Sequence, residues 1–144
     1  MKNLLNKLIS TNSRDWSPVA LRLVLGLVMA AHGAQKLFGW FGGYGLQGTA
    51  GFFADKLGLT PGIFWATLAG SGEFFGGLLL ILGLATRFAA LNTAVVMLVA
   101  IITVHNSAFF MPTGMEFALS LLAMSVALVV SGGGALSADS ALTK

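Results

Sequence analysis

Four long apolar segments constrain this chain more than any other feature of its sequence. They cover about residues 18–38, 62–83, 87–104 and 114–131, and a helix of about 20 apolar residues crosses the hydrocarbon core of a bilayer. Only 9% of the 144 residues are charged, whereas a soluble domain normally has about a quarter. The sequence therefore predicts an all-α integral membrane four-helix bundle that forms one domain over residues 1–144.

Basic residues near the segment ends predict the orientation of the bundle. Most of them fall on one side of the predicted membrane, namely Lys2, Lys7, Arg14, Arg87 and Lys144. Lys36 and Lys56 are the bases on the other side. Because cytoplasmic loops of membrane proteins carry the excess of Lys and Arg, we expect both termini in the cytoplasm of a bacterium, with the chain in its inner membrane. The net charge of +3 thus indicates topology rather than nucleic-acid binding.

Two segments outside the spans also carry helical patterns. Residues 1–10 place their leucines on one stripe, which predicts a helix along the membrane surface. This start is typical of a signal peptide as well, but Arg22 interrupts the apolar run and the span has full length, so we expect a retained anchor. In the first outer loop, residues 46–57 predict a short amphipathic helix. The loop also contains many glycines and aromatic residues, and we interpret the aromatic residues as a belt at the membrane interface in preference to a lid over a ligand.

Several ionisable or amide side chains lie within or beside the spans, where such residues usually face the bundle interior and find partners. With a rise of about 1.5 Å per residue, Glu73 falls between Arg22 and His32 in depth. Two polar layers follow. The inner layer contains Arg22, Glu73 and Asn92; the outer layer contains Lys36, His105 and Glu116, and His32 lies between the layers. His105 points away from the Asn92 stripe if the third helix is regular.

The helix faces indicate how these side chains are covered. Glu73 shares a stripe with Ala66, Gly70 and Gly77, and small residues allow a neighbouring helix to approach closely. The third helix presents one face that comprises Asn92, Val96, Val99, Thr103 and Asn106. For the fourth helix, the predicted interior face comprises Glu116, Ser120, Ala123 and Ala127. A small-residue, partly polar bundle interior is expected.

Several kinds of site find no support in the sequence. The chain has no cysteine, which excludes thiol and disulfide exchange by its own residues. His32 and His105 differ in depth and form no ligand motif, so neither a metal site nor bis-histidine haem is favoured. No nucleotide-binding glycine motif and no nucleophile beside a histidine base are present. No catalytic residue can be named, and whether the chain is an enzyme stays open.

Three stretches resemble the DoxX family of small bacterial membrane proteins, in order and over about residues 16–142. They are LRLVLGLVMAAHGAQKLFG, GSGEFFGGLLLILGLATRFAAL and GGGALSAD. The positions that match the family pattern are Arg22, Gly26, Gly33, Lys36, Glu73, Gly76, Gly77, Gly83, Arg87, Ser137 and Asp139. The resemblance implies a four-helix inner membrane protein. The family takes its name from a subunit associated with terminal quinol oxidation and thiosulfate:quinone oxidoreduction, and most members have no established activity.

Two main functions stay open at this point. The first is an accessory subunit that binds a quinone or similar amphiphile between its helices and works with a redox partner protein. Glu73 would accept a proton while Arg22, His32 or Lys36 polarises the head group. The second is a noncatalytic scaffold in which Arg22 and Glu73 form a structural ion pair and the outer loop docks a partner. A solute pathway is the least favoured, since four tightly packed helices leave little room unless the protein forms a homo-oligomer.

Overall fold

Proline and glycine lie at the ends of most of the helices that the apolar segments form. A computed structural model describes residues 9–112 and 114–143. Pro18 lies in the first turn of the first long helix, and Gly39 ends that helix with a φ of 72°. Six α-helices occur within these ranges: α1 Ser17–Phe38, α2 Gly45–Leu57, α3 Gly62–Leu82, α4 Thr86–Thr103, α5 Glu116–Ser131 and α6 Ala138–Leu142. The predicted all-α fold is confirmed.

Three of these helices, α1, α3 and α4, are long and apolar enough to cross a membrane. Helix α5 is also apolar but has only 16 residues, and it lies within the fourth predicted segment. Helix α2 confirms the helix predicted in the loop between the first two spans. The surface helix expected over residues 1–10 lies almost wholly outside the described residues.

Helices α1 and α3 pack closely against each other, with glycines at their crossing. A Cβ atom on Gly26 would lie 2.7 Å from the carbonyl oxygen of Gly77. A Cβ on Gly33 would overlap the backbone of Phe74. Only glycine permits this approach, so the small-residue face predicted around Glu73 is confirmed as a helix contact.

Helix α5 presents a different face to the bundle from the predicted one. Its buried residues are Ala118, Leu121, Ser125 and Leu128, whereas Ser120, Ala123 and Ala127 are exposed. In a bilayer, helix association rests on van der Waals packing, and leucine side chains make more such contacts in the bundle interior than alanine or serine do. The prediction that this small-residue stripe faces inward is therefore wrong.

The residues after α5 fold back over one end of the bundle, where α1 begins and α3 ends. Arg22 holds them there. Its guanidinium donates hydrogen bonds to the carbonyl oxygens of Ile81 (2.6 Å), Leu136 (2.8 Å) and Gly133 (3.1 Å). Because Arg22 is only 2% exposed, these carbonyls replace water around its charge. The tail is thus an integral layer of the fold.

Asp139 joins the same layer to the start of α4. Its carboxylate accepts the backbone N–H groups of Ala85 (2.7 Å) and Thr86 (2.8 Å). Helix α4 has no capping side chain of its own at its N-terminus. The tail, more than 50 residues further along the chain, supplies the acceptor for two of the backbone N–H groups there. We call this end of the bundle, with Arg22 and Asp139, the inner end, and the opposite end the outer end, following the predicted orientation.

Candidate functional site: an apolar cavity around a buried ion pair

A cavity of about 900 Å³ lies in the outer half of the bundle. Helices α1, α2, α3 and α4 and the start of α5 form its walls. Most of the lining is aliphatic or aromatic. The polar side chains on the lining are His32, Gln35, Lys36, Tyr44, Thr49, Ser71, Glu73, Asn92, Thr103 and His105. An apolar pocket with a few convergent polar groups is the usual form of a small-molecule binding site.

Lys36 and Glu73 form an ion pair in this cavity. Lys36 Nζ lies 2.6 Å from Glu73 Oε2, and the side chains are 26% and 4% exposed respectively. Side chains on a helix lean toward its N-terminus. Lys36, near the outer end of α1, therefore reaches inward, while Glu73 on the antiparallel α3 leans outward, and the two meet. Glu73 is paired, as predicted, but with a lysine that the sequence interpretation assigned to the other layer.

The interpretation that placed Arg22 beside Glu73 is wrong. Matching the ends of the predicted spans puts Gly33 level with Leu68, whereas the structure places Gly33 against Phe74. This six-residue difference shifts α1 inward by about 9 Å at a rise of 1.5 Å per residue. Arg22 also leans toward the N-terminus of α1 and so away from Glu73. It belongs to the inner end and does not line the cavity.

Asn92 contacts α3 at Gly72, the residue before Glu73, in agreement with the predicted inner layer. Its Nδ2 donates to the carbonyl oxygen of Gly72 at 2.8 Å. A Cβ on Gly72 would come within 3.1 Å of Asn92 Oδ1, so the glycine makes room for the amide. Among the described residues none donates a hydrogen bond to that Oδ1. Asn92 therefore presents an acceptor on the cavity wall at the level of the ion pair.

Both histidines line the cavity. The His32 ring centroid lies 6.3 Å from that of Phe117, which places an imidazole beside an aromatic wall. His105 follows the last residue of α4, Thr103. The expectation that His105 points away assumed a regular helix, and α4 ends before that residue. Within the described residues no three His, Cys, Asp or Glu side chains are grouped so as to hold a metal ion.

Glu116 does not join the predicted outer layer. Its Oε1 accepts the backbone N–H of Met111 at 2.8 Å and so closes the loop that precedes α5. It does not line the cavity, unlike Lys36 and His105. Of the seven candidate residues, the structure brings five to the cavity: His32, Lys36, Glu73, Asn92 and His105.

Sequence reasoning missed the apolar residues that shape the site. Trp65, Leu68 and Gly72 on α3 line the cavity at spacings of three and four residues, and Val95 lies opposite on α4. The predicted face of α4 that contains Asn92, Val96, Val99 and Thr103 does line the cavity. Sequence reasoning also missed Thr49, which lies on α2 and is buried. Its position as a threonine on the predicted amphipathic helix of the loop was the signal that could have indicated it.

Comparisons with known proteins agree with this architecture. The family model DoxX matches residues 17–106, which include α1 to α4 and therefore the four helices that form most of the cavity. A protein of Bacillus subtilis (strain 168) described as "Putative oxidoreductase CatD" is 35% identical over 119 residues, which are 83% of this chain and 81% of that protein. No solved structure matches the chain. The chain belongs to the DoxX family of membrane proteins.

Proposed function

We propose that this protein is an accessory subunit of a quinone-linked redox process and binds a quinone or a similar amphiphile in the outer cavity. The observation that carries the proposal is the Lys36–Glu73 ion pair on the wall of an otherwise apolar cavity. A quinone head group is an apolar ring with two carbonyl oxygens. Lys36 can donate to one oxygen, and the cavity volume of about 900 Å³ lies within the usual range for sites of drug-sized ligands.

The same pair supplies the proton chemistry that a quinol needs. Oxidation of a quinol to a quinone releases two electrons and two protons. In this proposal the electrons pass to a redox partner protein. The Glu73 carboxylate accepts one proton, and the His32 imidazole on the same cavity accepts the other. The description of the Bacillus subtilis relative as an oxidoreductase supports a redox setting, and we place the protein in the bacterial inner membrane.

A direct test is the binding of a short-chain benzoquinone to the purified protein in lipid nanodiscs. Trp65 lines the cavity, and quinones quench tryptophan fluorescence, so a protein that keeps only this tryptophan reports on the site. We expect saturable quenching that Lys36→Met weakens by about tenfold, because a charge-assisted hydrogen bond is lost. Lys56→Met, on exposed α2 surface away from the cavity, is the control. Quenching that does not saturate contradicts the proposal.

The scaffold function is favoured by one observation, which is that the ion pair links α1 to α3. A purely structural pair would affect stability and leave quinone binding unchanged. Lys36→Gln separates the two functions. If the protein is a scaffold, this substitution lowers its thermal stability. Saturable quenching of Trp65 by quinone is then either absent already in the wild-type protein or the same in the variant.

A further inference from the structure

The cavity is open between the outer halves of α3 and α4. Leu68 on α3 is 55% exposed and Val95 on α4 is 54% exposed, although both line the cavity. Val99, one turn beyond Val95, also lines it and is 48% exposed. Such values mean that about half of each of these residues is left uncovered by the rest of the described chain. We call this gap, bounded by Leu68, Val95 and Val99, the lateral opening.

The lateral opening lies at a depth where hydrocarbon chains surround the protein. Leu68 and Val95 are both inside helices that are long and apolar enough to cross a membrane. Leu68 is five residues from Glu73 along α3, which is about 7.5 Å of helix. Leu68, Val95 and Val99 carry no charge or hydrogen-bonding group. An entrance so lined admits an apolar chain and disfavours a hydrated solute.

The opening is continuous with the polar part of the cavity. On its inner side the Asn92–Gly72 hydrogen bond joins the two helices. Asn92 and Glu73 follow directly on the cavity wall, and Lys36 faces them from α1. A molecule that enters between Leu68 and Val95 therefore meets apolar side chains first and the ion pair afterwards. This order matches an amphiphile whose head group enters ahead of a trailing chain.

We infer that the lateral opening is the entrance for a ligand that arrives through the bilayer, and that the ligand's hydrocarbon chain stays between α3 and α4 while its head group contacts Lys36 and Glu73. The identity of the head group rests on the proposed function, whereas the position of the chain does not. The substrate class is narrowed to amphiphiles with a long apolar chain. A water-soluble quinone without a chain would use only the polar end of the cavity.

The test places a bulky side chain in the opening of the protein that keeps Trp65 and carries Trp16→Phe and Trp40→Phe. Val95→Phe fills the gap. Val126→Phe is the matched control, because Val126 on α5 is 52% exposed and does not line the cavity. Leu68→Phe repeats the block from the facing helix, with Leu119→Phe on α5 as its control, so that one misfolded variant does not decide the outcome.

Two probes separate the position of the chain from the identity of the head group. Phosphatidylcholine with brominated chains reports on entry of any hydrocarbon chain. We expect its quenching of Trp65 to fall in Val95→Phe and Leu68→Phe but not in the two controls. Dimethoxy-methyl-benzoquinone with and without a decyl chain reports on the head group. We expect Val95→Phe to weaken binding of the decyl compound about tenfold, as overpacking predicts, and to change binding of the chainless compound less than about twofold.

The results with the two probes decide separately on the entrance and on the head group. Equal quenching by brominated chains in the blocked and control proteins overturns the lateral entrance, whatever binds at the ion pair. Equal weakening of both quinones in Val95→Phe overturns it as well. If neither quinone quenches any of the proteins but the brominated chains show the expected difference, the entrance is supported and the quinone proposal is refuted.

Discussion

Replacement of Glu73 by glutamine separates the structural role of the ion pair from its role in binding. The change is nearly isosteric and removes the negative charge 2.6 Å from Lys36 Nζ. Removing one partner of a fully buried pair costs about 3–5 kcal/mol because the other charge is left uncompensated. Exposed pairs contribute below about 1 kcal/mol. Since the Lys36 side chain is 26% exposed to the cavity, we expect a loss between these limits, about 2 kcal/mol.

The partner change Lys36→Met should recover most of that loss. In the double variant Glu73→Gln/Lys36→Met no buried charge is left unpaired, and replacing a buried pair by uncharged side chains of similar volume is often neutral in stability. Quinone binding should not recover, because both head-group contacts are gone. Recovery of stability without recovery of binding is the pattern that distinguishes a site from a scaffold.

The assay is thermal unfolding of the protein in lipid nanodiscs, followed by Trp65 fluorescence, together with quenching by decylbenzoquinone. A loss of about 2 kcal/mol corresponds to a fall in Tm of roughly 5–10 °C for a chain of this size. Glu116→Gln is the control carboxylate, because Glu116 does not line the cavity and accepts the backbone N–H of Met111. Unchanged quinone binding by Glu73→Gln would contradict a role of the ion pair in binding. A double variant that is no more stable than Glu73→Gln would contradict the cost of an uncompensated charge at Lys36.

Two further predictions concern the parts of the fold that hold the site. Gly33→Ala should lower Tm by roughly 5 °C or more, because the new methyl group meets the Phe74 backbone. Gly51→Ala, which has open space around its Cβ, is the control and should leave Tm unchanged or raise it. Equal changes in Tm for the two variants would contradict the close helix crossing. Asp139→Asn should lower the free energy of unfolding by about 1 kcal/mol, because it weakens the cap of α4. It should also make the C-terminal tail more sensitive to limited proteolysis than the control Asp55→Asn does. Unchanged cleavage would mean that the tail is held without this carboxylate.

The helices and the glycine contact of α1 with α3 could be predicted from the sequence for a simple reason. Apolar length identifies a span, and residues three, four or seven positions apart share a face. Gly70 and Gly77, which share a helix face with Glu73, therefore indicated that another helix packs closely there, although they did not indicate which helix. Asn92 was correctly placed near Glu73 by the same reasoning.

The partner of Glu73 could not be predicted because hydropathy does not fix how far one helix is shifted along another. The start of α1 extends beyond the end of α3, and the tail covers it through Arg22 and Asp139. These contacts join residues more than 50 positions apart and follow no local pattern. The lean of side chains toward the helix N-terminus favoured Lys36 over Arg22 and was the one available signal.

Photolabelling can locate a quinone bound beside Lys36 and Glu73. An azido-decylbenzoquinone is irradiated with the protein in nanodiscs, with and without excess unlabelled decylbenzoquinone, and the labelled peptides are identified by mass spectrometry. We expect label in residues 29–36, 65–73 or 92–105 that the unlabelled quinone removes. Label confined to residues 132–143 at the inner end, or label that the unlabelled quinone does not remove, would contradict this expectation.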